Sequence, residues 1–388
     1  MKIVDVRTIP ISCAVDPPYA SAAGVQSRRG ALLVEIETDD GTLGIGEAGP
    51  AGGVTRTMID RHLKPMLLGQ DPLLIERLWQ TMWGRTRQYG RGGVVMHAIS
   101  GIDIALWDIA GKVAKMPVYR LLGACRDRVE AYASGGFYQE GKSAADLAGE
   151  AEGYRARGFK GMKMKVGRNP VTGTPMRELL GNREFCEVDP SEDIARVAAV
   201  RQALGPRAKL MVDANCAWSP AVAIEIGREM EKYNLYWIEE PVATDDIDGS
   251  AAVAAALAAP IAGYETETGL YGFRQLIDRG AVDIVQLDLA WSGGFSEGRR
   301  IAAYAQAHSK MIAPHSFAGA VLLIASLHFA ASIPNGLELE WDQNPNAIRD
   351  ELLKEPLRLE PDGTVKLLER PGLGIELDRA AVERYRTD

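Results

Sequence analysis

A chain of 388 residues exceeds one compact domain of common size, so a barrel of alternating strands and helices plus a smaller unit is the organisation its length suggests. Hydrophobic residues at 46% and charged residues at 25% supply a sizeable core and argue against wholesale disorder. The net charge of −8 contains no basic block to neutralise a run of phosphates; this excludes nucleic acid as an expected partner and leaves an anionic small substrate open, because local charges at a site override the global balance.

The chain opens on MKIVDVRTIPIS, which alternates like a strand and lacks the features of a signal peptide. Leu32, Val34 and Ile36 alternate with Glu35 and Glu37, and Asp39, Asp40 and Gly41 offer hairpin chemistry before Leu43, Ile45 and Glu47. Helical periodicity follows over 55–68, 73–82 and 94–115, which makes 1–125 an α+β unit. The longest apolar stretch, 317–333, carries Gly319, His328 and two serines and reads as a buried helix, so no membrane partner is expected. Cys13, Cys125, Cys186 and Cys216 are far apart and form no CxxC; neither a zinc site nor a disulfide framework is expected, and a reducing cytoplasm fits.

From about Val129 short apolar runs alternate with amphipathic stretches, the pattern of parallel βαβ units. The runs end near Ser134, Lys165, Asp213, Glu239, Glu265, Asp288, His315 and Glu340, and Ser219 with Pro220 makes an N-cap and first-turn pair before one intervening helix. Eight strands with helices between them predict a closed barrel. Successive steps from Asp213 to Glu340 are 26, 26, 23, 27 and 25 residues, each about one β/α unit, so an ionisable residue recurs at the C-terminal end of consecutive strands, where barrels build active sites.

Three carboxylates, Asp213, Glu239 and Glu265, converging on one rim repel unless a cation joins them, and all-oxygen ligation suits Mg²⁺. Glu240 and Glu267 are neighbours that could serve instead. Lys163 and Lys165 are two apart on a strand and share a face; two ammoniums and a nearby metal are expected to lower a lysine pKa toward a working base. Asp288 and His315 end adjacent strands, which lets a carboxylate fix the histidine tautomer. His62, His97, His308 and His328 fall in helical patterns. Glu340, if protonated with a raised pKa, could donate to a substrate carboxylate; Glu338 has the same parity and is the alternative. The Ser292-Gly293-Gly294 turn is read as loop geometry.

In this combination the chain resembles the enolase superfamily, and within it the mandelate racemase subgroup. The motifs are KMK at 163–165, VDAN at Asp213, WIEEP at Glu239, Asp288 with SGGFSEG, His315, Glu340, GIDIALWDIAGK from Gly101 and PGLGIELD from Pro371, spanning nearly the whole chain. The resemblance implies a modified (β/α)₇β barrel at 126–345 under a capping domain built from 1–125 and closed by 346–388. It implies Mg²⁺ on Asp213, Glu239 and Glu265, Lys165 acting on one face of an α-carbon and the Asp288–His315 dyad on the other, Lys163 and Glu340 at the substrate carboxylate, and an enediolate intermediate. Capping loops at 18–24 and 49–53 would choose the substrate. Two departures are Tyr264, where the family usually has glycine, which could reshape the metal site, and an insertion between Gly167 and Pro190, which could cover the pocket or join an oligomer contact.

Dehydration of a sugar acid, aldarolactone cycloisomerisation and racemisation of a 2-hydroxy acid begin with the same proton abstraction, and strand-end residues alone do not separate them. Dehydration is the first expectation, since a protonated His315 can help a β-hydroxyl leave; cycloisomerisation follows and racemisation is third. A metal-dependent hydrolase barrel would want HxH on the first strand, which VEAYASGG lacks, and a Schiff-base aldolase would not need three carboxylates. A non-catalytic sugar-acid-binding barrel is the reading from a different class. A small-molecule carboxylate substrate and a homo-oligomer complete the expectations.

Overall fold

The computed structural model describes residues 1–49, 52–167 and 190–387. The insertion between Gly167 and Pro190, together with Cys186, lies outside the described residues, as do positions 50 and 51 of the second expected loop.

Three antiparallel strands, β1 (Ile3–Ser21), β2 (Gly24–Thr38) and β3 (Leu43–Ala48), form the first sheet. The β2–β3 turn is the expected one, with Gly41 at φ +83° and the Asp40 carboxylate accepting from Thr38 Oγ1 and Thr42 N. Helical segments cover 53–67, followed by α1 (Ile75–Thr86) and α2 (Val94–Ala114). Helix α2 is long and apolar enough to cross a membrane, yet most of it is buried inside the molecule, where Ile99, Ile102 and Leu106 join a core with Leu32, Val34 and Ile36. Two glycines of β3 let this helix approach closely: a Cβ on Gly46 would stand 2.0 Å from the Gly101 carbonyl, and one on Gly44 2.3 Å from that of Ala105.

Eight parallel strands follow: β4 (Arg128–Ser134), β5 (Gly161–Lys165), β6 (Lys209–Asp213), β7 (Trp237–Glu239), β8 (Ile261–Gly263), β9 (Ile284–Val285), β10 (Met311–Ile312) and β11 (Leu339–Asp342). Strand β11 pairs with β4, and a parallel bridge from Ile312 to Gly336 joins β10 to the segment entering β11, so the sheet closes on itself. The regular ladders of β8, β9 and β10 stop two or three residues before Glu265, Asp288 and His315, although Asp288 and His315 still face each other across an isolated parallel bridge. Tyr132, Met211, Trp237, Ala262, Ile284 and Ala313 fill the barrel interior as an apolar layer. Helices α3 (Ala144–Ala156), α4 (Pro190–Leu204), α5 (Pro220–Glu231), α6 (Ile247–Ala256), α7 (Gly269–Asp278), α8 (Gly294–Ala307) and α9 (Ala320–Ser332) follow successive strands. Ser219 caps α5 as expected, and every residue of α9 is buried.

The C-terminal segment touches both units. Strand β12 (Thr364–Lys366) pairs antiparallel with β4, while Arg386 bridges to Ile11 and Arg379 pairs with Glu35. Two buried carboxyls of the N-terminal segment also reach helix N-termini of the barrel. Glu47 accepts from Gly319 N at 2.7 Å and Leu322 N at 3.0 Å at the start of α9; Asp103 accepts from Ser296 N at 3.0 Å and Ser296 Oγ at 2.5 Å at the start of α8. First-turn N–H groups lack intrahelical partners, so these contacts satisfy donors that burial would otherwise strand. The Ser292–Gly294 turn is thus loop geometry, with its helix end already occupied.

Burial pushes both carboxyls up, to about 7, against the N–H groups that favour ionisation. A carboxyl whose folded pKa is raised binds its proton more tightly in the native state, so its stabilising contribution is complete below the ordinary carboxyl range and is lost as pH rises through about 7. Replacing both groups by neutral amides, Glu47→Gln with Asp103→Asn, is expected to flatten the fall in unfolding free energy between about pH 4 and 7 by a few kcal/mol, on the order of 3 per group. Urea unfolding across that range reads it; an unchanged slope would sink the assignment.

Candidate active site

Strand parity explains which side chains meet. Successive residues alternate faces, so Lys163 and Lys165, Met211 and Asp213, Trp237 and Glu239, and Gln286 and Asp288 are pairs in which both members face the barrel interior. The register sets Lys165 opposite Asp213 and Asp213 opposite Glu239. All eight sequence-predicted residues converge at the C-terminal end of the barrel, and each is buried or nearly so.

Lys163 Nζ donates to Glu239 and stands 2.8 Å from Glu340 Oε1 and 3.9 Å from Asp213 Oδ2. Lys165 Nζ pairs with Asp213 and lies over the Phe137 ring, 4.9 Å from its centroid, with Phe317 at 5.9 Å. His315 Nδ1 is 2.7 Å from Asp288 Oδ2, and its Nε2 is 3.2 Å from Glu265 Oε2. Asp288 is fixed from behind by Ala290 N at 2.6 Å, and the Trp291 ring packs against His315 at 5.2 Å. Glu239 Oε2 also accepts from Trp237 Nε1 at 2.9 Å and Gln286 Nε2 at 2.7 Å. These two donors were missed in the sequence, although both precede a named acid by two residues on the same strand face.

The neighbouring acids separate cleanly. Glu240, at φ +41°, turns its carboxyl to the Glu265 backbone N at 3.1 Å, and Glu267 accepts from Thr268 N. Glu338 pairs with Lys209, at the start of β6 and away from the mouth. Tyr264 does not intrude on the carboxylates: its buried hydroxyl donates to Ser250 Oγ at 2.9 Å on α6.

Without a metal ion bound, neither lysine is depressed and Glu340 is not raised. Burial alone would depress the lysines, but Glu239 and Glu340 outweigh it at Lys163, and Asp213 outweighs it at Lys165, so both ammoniums are held above their ordinary value. Glu340 is not a protonated donor: burial pushes it up, yet Lys163 and His315, with Ser316 N at 3.0 Å, hold it well below the usual carboxylate range. His315 is lifted to about 10, because Glu265, Glu340 and Asp288 overcome the cost of burial. In this charge arrangement it is an imidazolium, with Nδ1–H toward Asp288 and Nε2–H toward Glu265.

Burial pushes Glu239 to about 7 in spite of Lys163, with Asp213 and Glu340 adding to the rise, and pushes Glu240 well above its ordinary value. Six acids (Asp213, Glu239, Glu240, Glu265, Asp288 and Glu340) thus face three basic groups (Lys163, Lys165 and His315), and the cluster is short of positive charge. Hard oxygen donors with a deficit of cations fit Mg²⁺. Among the described residues no three ligating groups already stand arranged to hold a metal ion; the ammoniums of Lys163 and Lys165 pair with two of the carboxylates instead.

Lys165, Asn215, Glu265, His315, Phe317 and Glu340 border a cavity of about 460 Å³ whose opposite wall comes from β1 and β2. Ser21 and Ala23 reach it from the hairpin at 18–24, and Arg29 links the two units, donating to Phe317 O at 2.8 Å and pairing with Asp342 at 3.1 Å.

Residues 3–123 match the family described as mandelate racemase / muconate lactonizing enzyme, N-terminal domain, and residues 146–381 match the enolase C-terminal domain-like family. The chain is 39% identical to arabinonate dehydratase of Saccharolobus solfataricus, over 92% of this chain and 90% of that protein. It is 38% identical to D-galactarolactone cycloisomerase of Agrobacterium fabrum, over 100% and 99%. Among solved structures, a racemase from Streptomyces coelicolor with bound magnesium superposes with a TM-score of 0.87 at 33% identity, covering 99% of this chain and 100% of that one.

Removing one partner from a buried charge cluster costs about 3–5 kcal/mol, because the other partners keep their burial and lose their compensation. Lys163→Met is expected to destabilise the metal-free protein by about that amount and to be partly rescued by millimolar Mg²⁺, read as the shift in urea midpoint. A neutral effect with and without Mg²⁺ would refute this account of the cluster.

Proposed function

Since the chain belongs to the enolase superfamily, with its mandelate racemase / muconate lactonizing enzyme subgroup, we propose that it is a Mg²⁺-dependent enzyme that removes the proton α to a carboxylate, and that its reaction is dehydration of a sugar acid. The observation that carries this reading is that Lys165 and His315, on strands far apart around the barrel, border one cavity together with Glu265 and Glu340.

In this reading 1–125 and 346–388 form the cap and 126–345 the barrel, and Asp213, Glu239 and Glu265 hold the metal. When bound, Mg²⁺ supplies the positive charge that fixes a substrate carboxylate and takes up the charge developing on it; the family fold and a magnesium-bound neighbour support this. A cation on Asp213 would also remove the anion that holds Lys165 protonated, freeing its amine as a base. Lys165 takes the α-proton as the C–H bond breaks and the electron pair moves into a carbon–carbon double bond. That pair then shifts to join the α and β carbons as the β carbon–oxygen bond breaks, and the hydroxyl departs as water with a proton from His315 Nε2. Asp288 keeps the imidazole oriented, and Glu340, ionised, holds Lys163 at the carboxylate end.

The full-length match to a cycloisomerase favours a second reading, in which the same first step is followed by departure of a lactone carboxylate. The relatives point to a soluble metabolic protein, and the described cysteines Cys13, Cys125 and Cys216 are free thiols, in keeping with a cytoplasmic setting. A homo-oligomer that binds neither nucleic acid nor membrane belongs to the same proposal.

A library of aldonates, aldarates and their lactones, assayed with Mg²⁺ for dehydrated product and in deuterated water for α-proton exchange, tests the proposal directly. Lys165→Ala and His315→Asn are each expected to lower turnover beyond the roughly 10²–10⁴-fold of a single general acid or base, since neither task has a substitute. For the dehydratase, one variant should still exchange the α-proton while forming no product. Near-normal turnover in both variants would mean the base lies elsewhere. In calorimetric Mg²⁺ titrations, Glu239→Gln is expected to lose most of the affinity and Glu240→Gln to keep much of it; the reverse order would exchange their roles.

A further inference from the structure

Among the described residues, every basic group bordering the cavity has a carboxylate partner except one. Lys165 pairs with Asp213, His315 with Asp288 and Glu265, and Arg29 with Asp342. The side chain of Arg28, exposed on β2 and bordering the same cavity, makes a single hydrogen bond among the described residues, from Nε to Ser12 Oγ at 3.1 Å. That hydroxyl donates in turn to Arg29 O at 2.8 Å, so Ser12 tethers the near side of the guanidinium to the sheet. The two terminal nitrogens of Arg28 have no partner among the described residues. They present the forked donor pair that matches a carboxylate in bidentate fashion.

The arrangement separates charges along the cavity. At the barrel end, each basic group is matched to an acid. At the cap end stands one uncompensated positive charge, held by a short polar side chain on a rigid antiparallel ladder that sets Ser12 opposite Gly30 and Ala14 opposite Arg28. A substrate with a single carboxylate uses it at the barrel end and offers Arg28 only a hydroxyl. A substrate with a second carboxylate at its far terminus neutralises it.

We propose that Arg28 is a specificity residue that binds a carboxylate at the end of the substrate remote from the reacting α-carbon. The substrate class is then an aldarate, a sugar acid with a carboxylate at each terminus, rather than an aldonate ending in a hydroxymethyl group. This rests on the proton-abstraction reading above and adds the identity of the distal group. The chemistry balances as before: one C–H and one C–O bond break, water leaves, and the distal carboxylate is unchanged.

The test is steady-state kinetics of the Mg²⁺-loaded enzyme on aldarate and aldonate pairs of matched configuration, with the corresponding aldarolactones, for the wild type, Arg28→Gln and Arg28→Lys. The wild type is expected to favour aldarates by about 10- to 100-fold in kcat/KM, the worth of a charge-assisted hydrogen-bond pair. Arg28→Gln should lose that preference, chiefly through a rise in KM for aldarates about 10-fold or more beyond any rise for aldonates; Arg28→Lys should recover part of it. Equal losses on both classes, a wild-type preference for aldonates, or a preference for aldarolactones, whose distal carboxyl is tied up as an uncharged ester, that Arg28→Gln leaves intact would each overturn the proposal. If no acid in the set exchanges its α-proton with the wild type, the proton-abstraction reading itself falls, and this inference falls with it.

Discussion

The burial of six carboxyl groups against three basic ones is the constraint around which the rest of this protein is arranged. Each charge at the barrel mouth is expensive to remove from water, and each is tolerated only because a neighbour of opposite sign or an N–H donor stands within hydrogen-bond reach. Lys163 serves Glu239 and Glu340 at once, His315 serves Asp288 and Glu265, and Trp237 and Gln286 contribute donors without charge. The polarity of every group follows from this shared accounting. That is why Glu340 remains ionised beside Lys163 while Glu240, with no cation against it, is driven toward its neutral form.

The same physics joins the two structural units. Glu47 and Asp103 extend from the N-terminal segment to helix ends of the barrel, and Arg29 lies 3.7 Å over the Phe317 ring while pairing with Asp342 on the last barrel strand. The cavity wall contributed by β1 and β2 is therefore fixed relative to the chemistry by buried polar contacts, not by apolar packing alone. In the proposed mechanism, reaction and recognition fall to different stretches of chain. Barrel strand ends hold the groups proposed to move protons, and the N-terminal sheet supplies the opposite wall of the same cavity.

Much of the barrel was legible because period and phase are local properties of sequence. A strand every 23 to 27 residues, with an ionisable residue at each end, located the mouth and the residues that meet there. The Glu338 and Glu340 alternatives have equal parity, and only height along the strand, shown by the pairing of Glu338 with Lys209, separates them. Protonation states were not legible. The lysines were expected to be depressed by each other and by a metal; without that metal, the placement of Asp213, Glu239 and Glu340 makes the counter-charges win. Arg29 gave no signal at all, since its partner Asp342 is 313 residues away in the chain. The strands carrying Glu265, Asp288 and His315 end earlier than their apolar runs suggest, because the backbone beyond them turns to present side chains rather than to continue a ladder.

The apolar layer of Tyr132, Met211, Trp237, Ala262, Ile284 and Ala313 has a kinetic consequence. It packs the barrel interior below the two lysines, on the side away from the cavity that Lys165 borders. Under the proposed mechanism, hydrogen delivered to Lys165 would meet water from the cavity side. Isotopic label placed on the α-carbon would then acquire a memory: the fraction returned to carbon instead of washed out to bulk water would measure how slowly the Lys165 amine exchanges after the bond is broken.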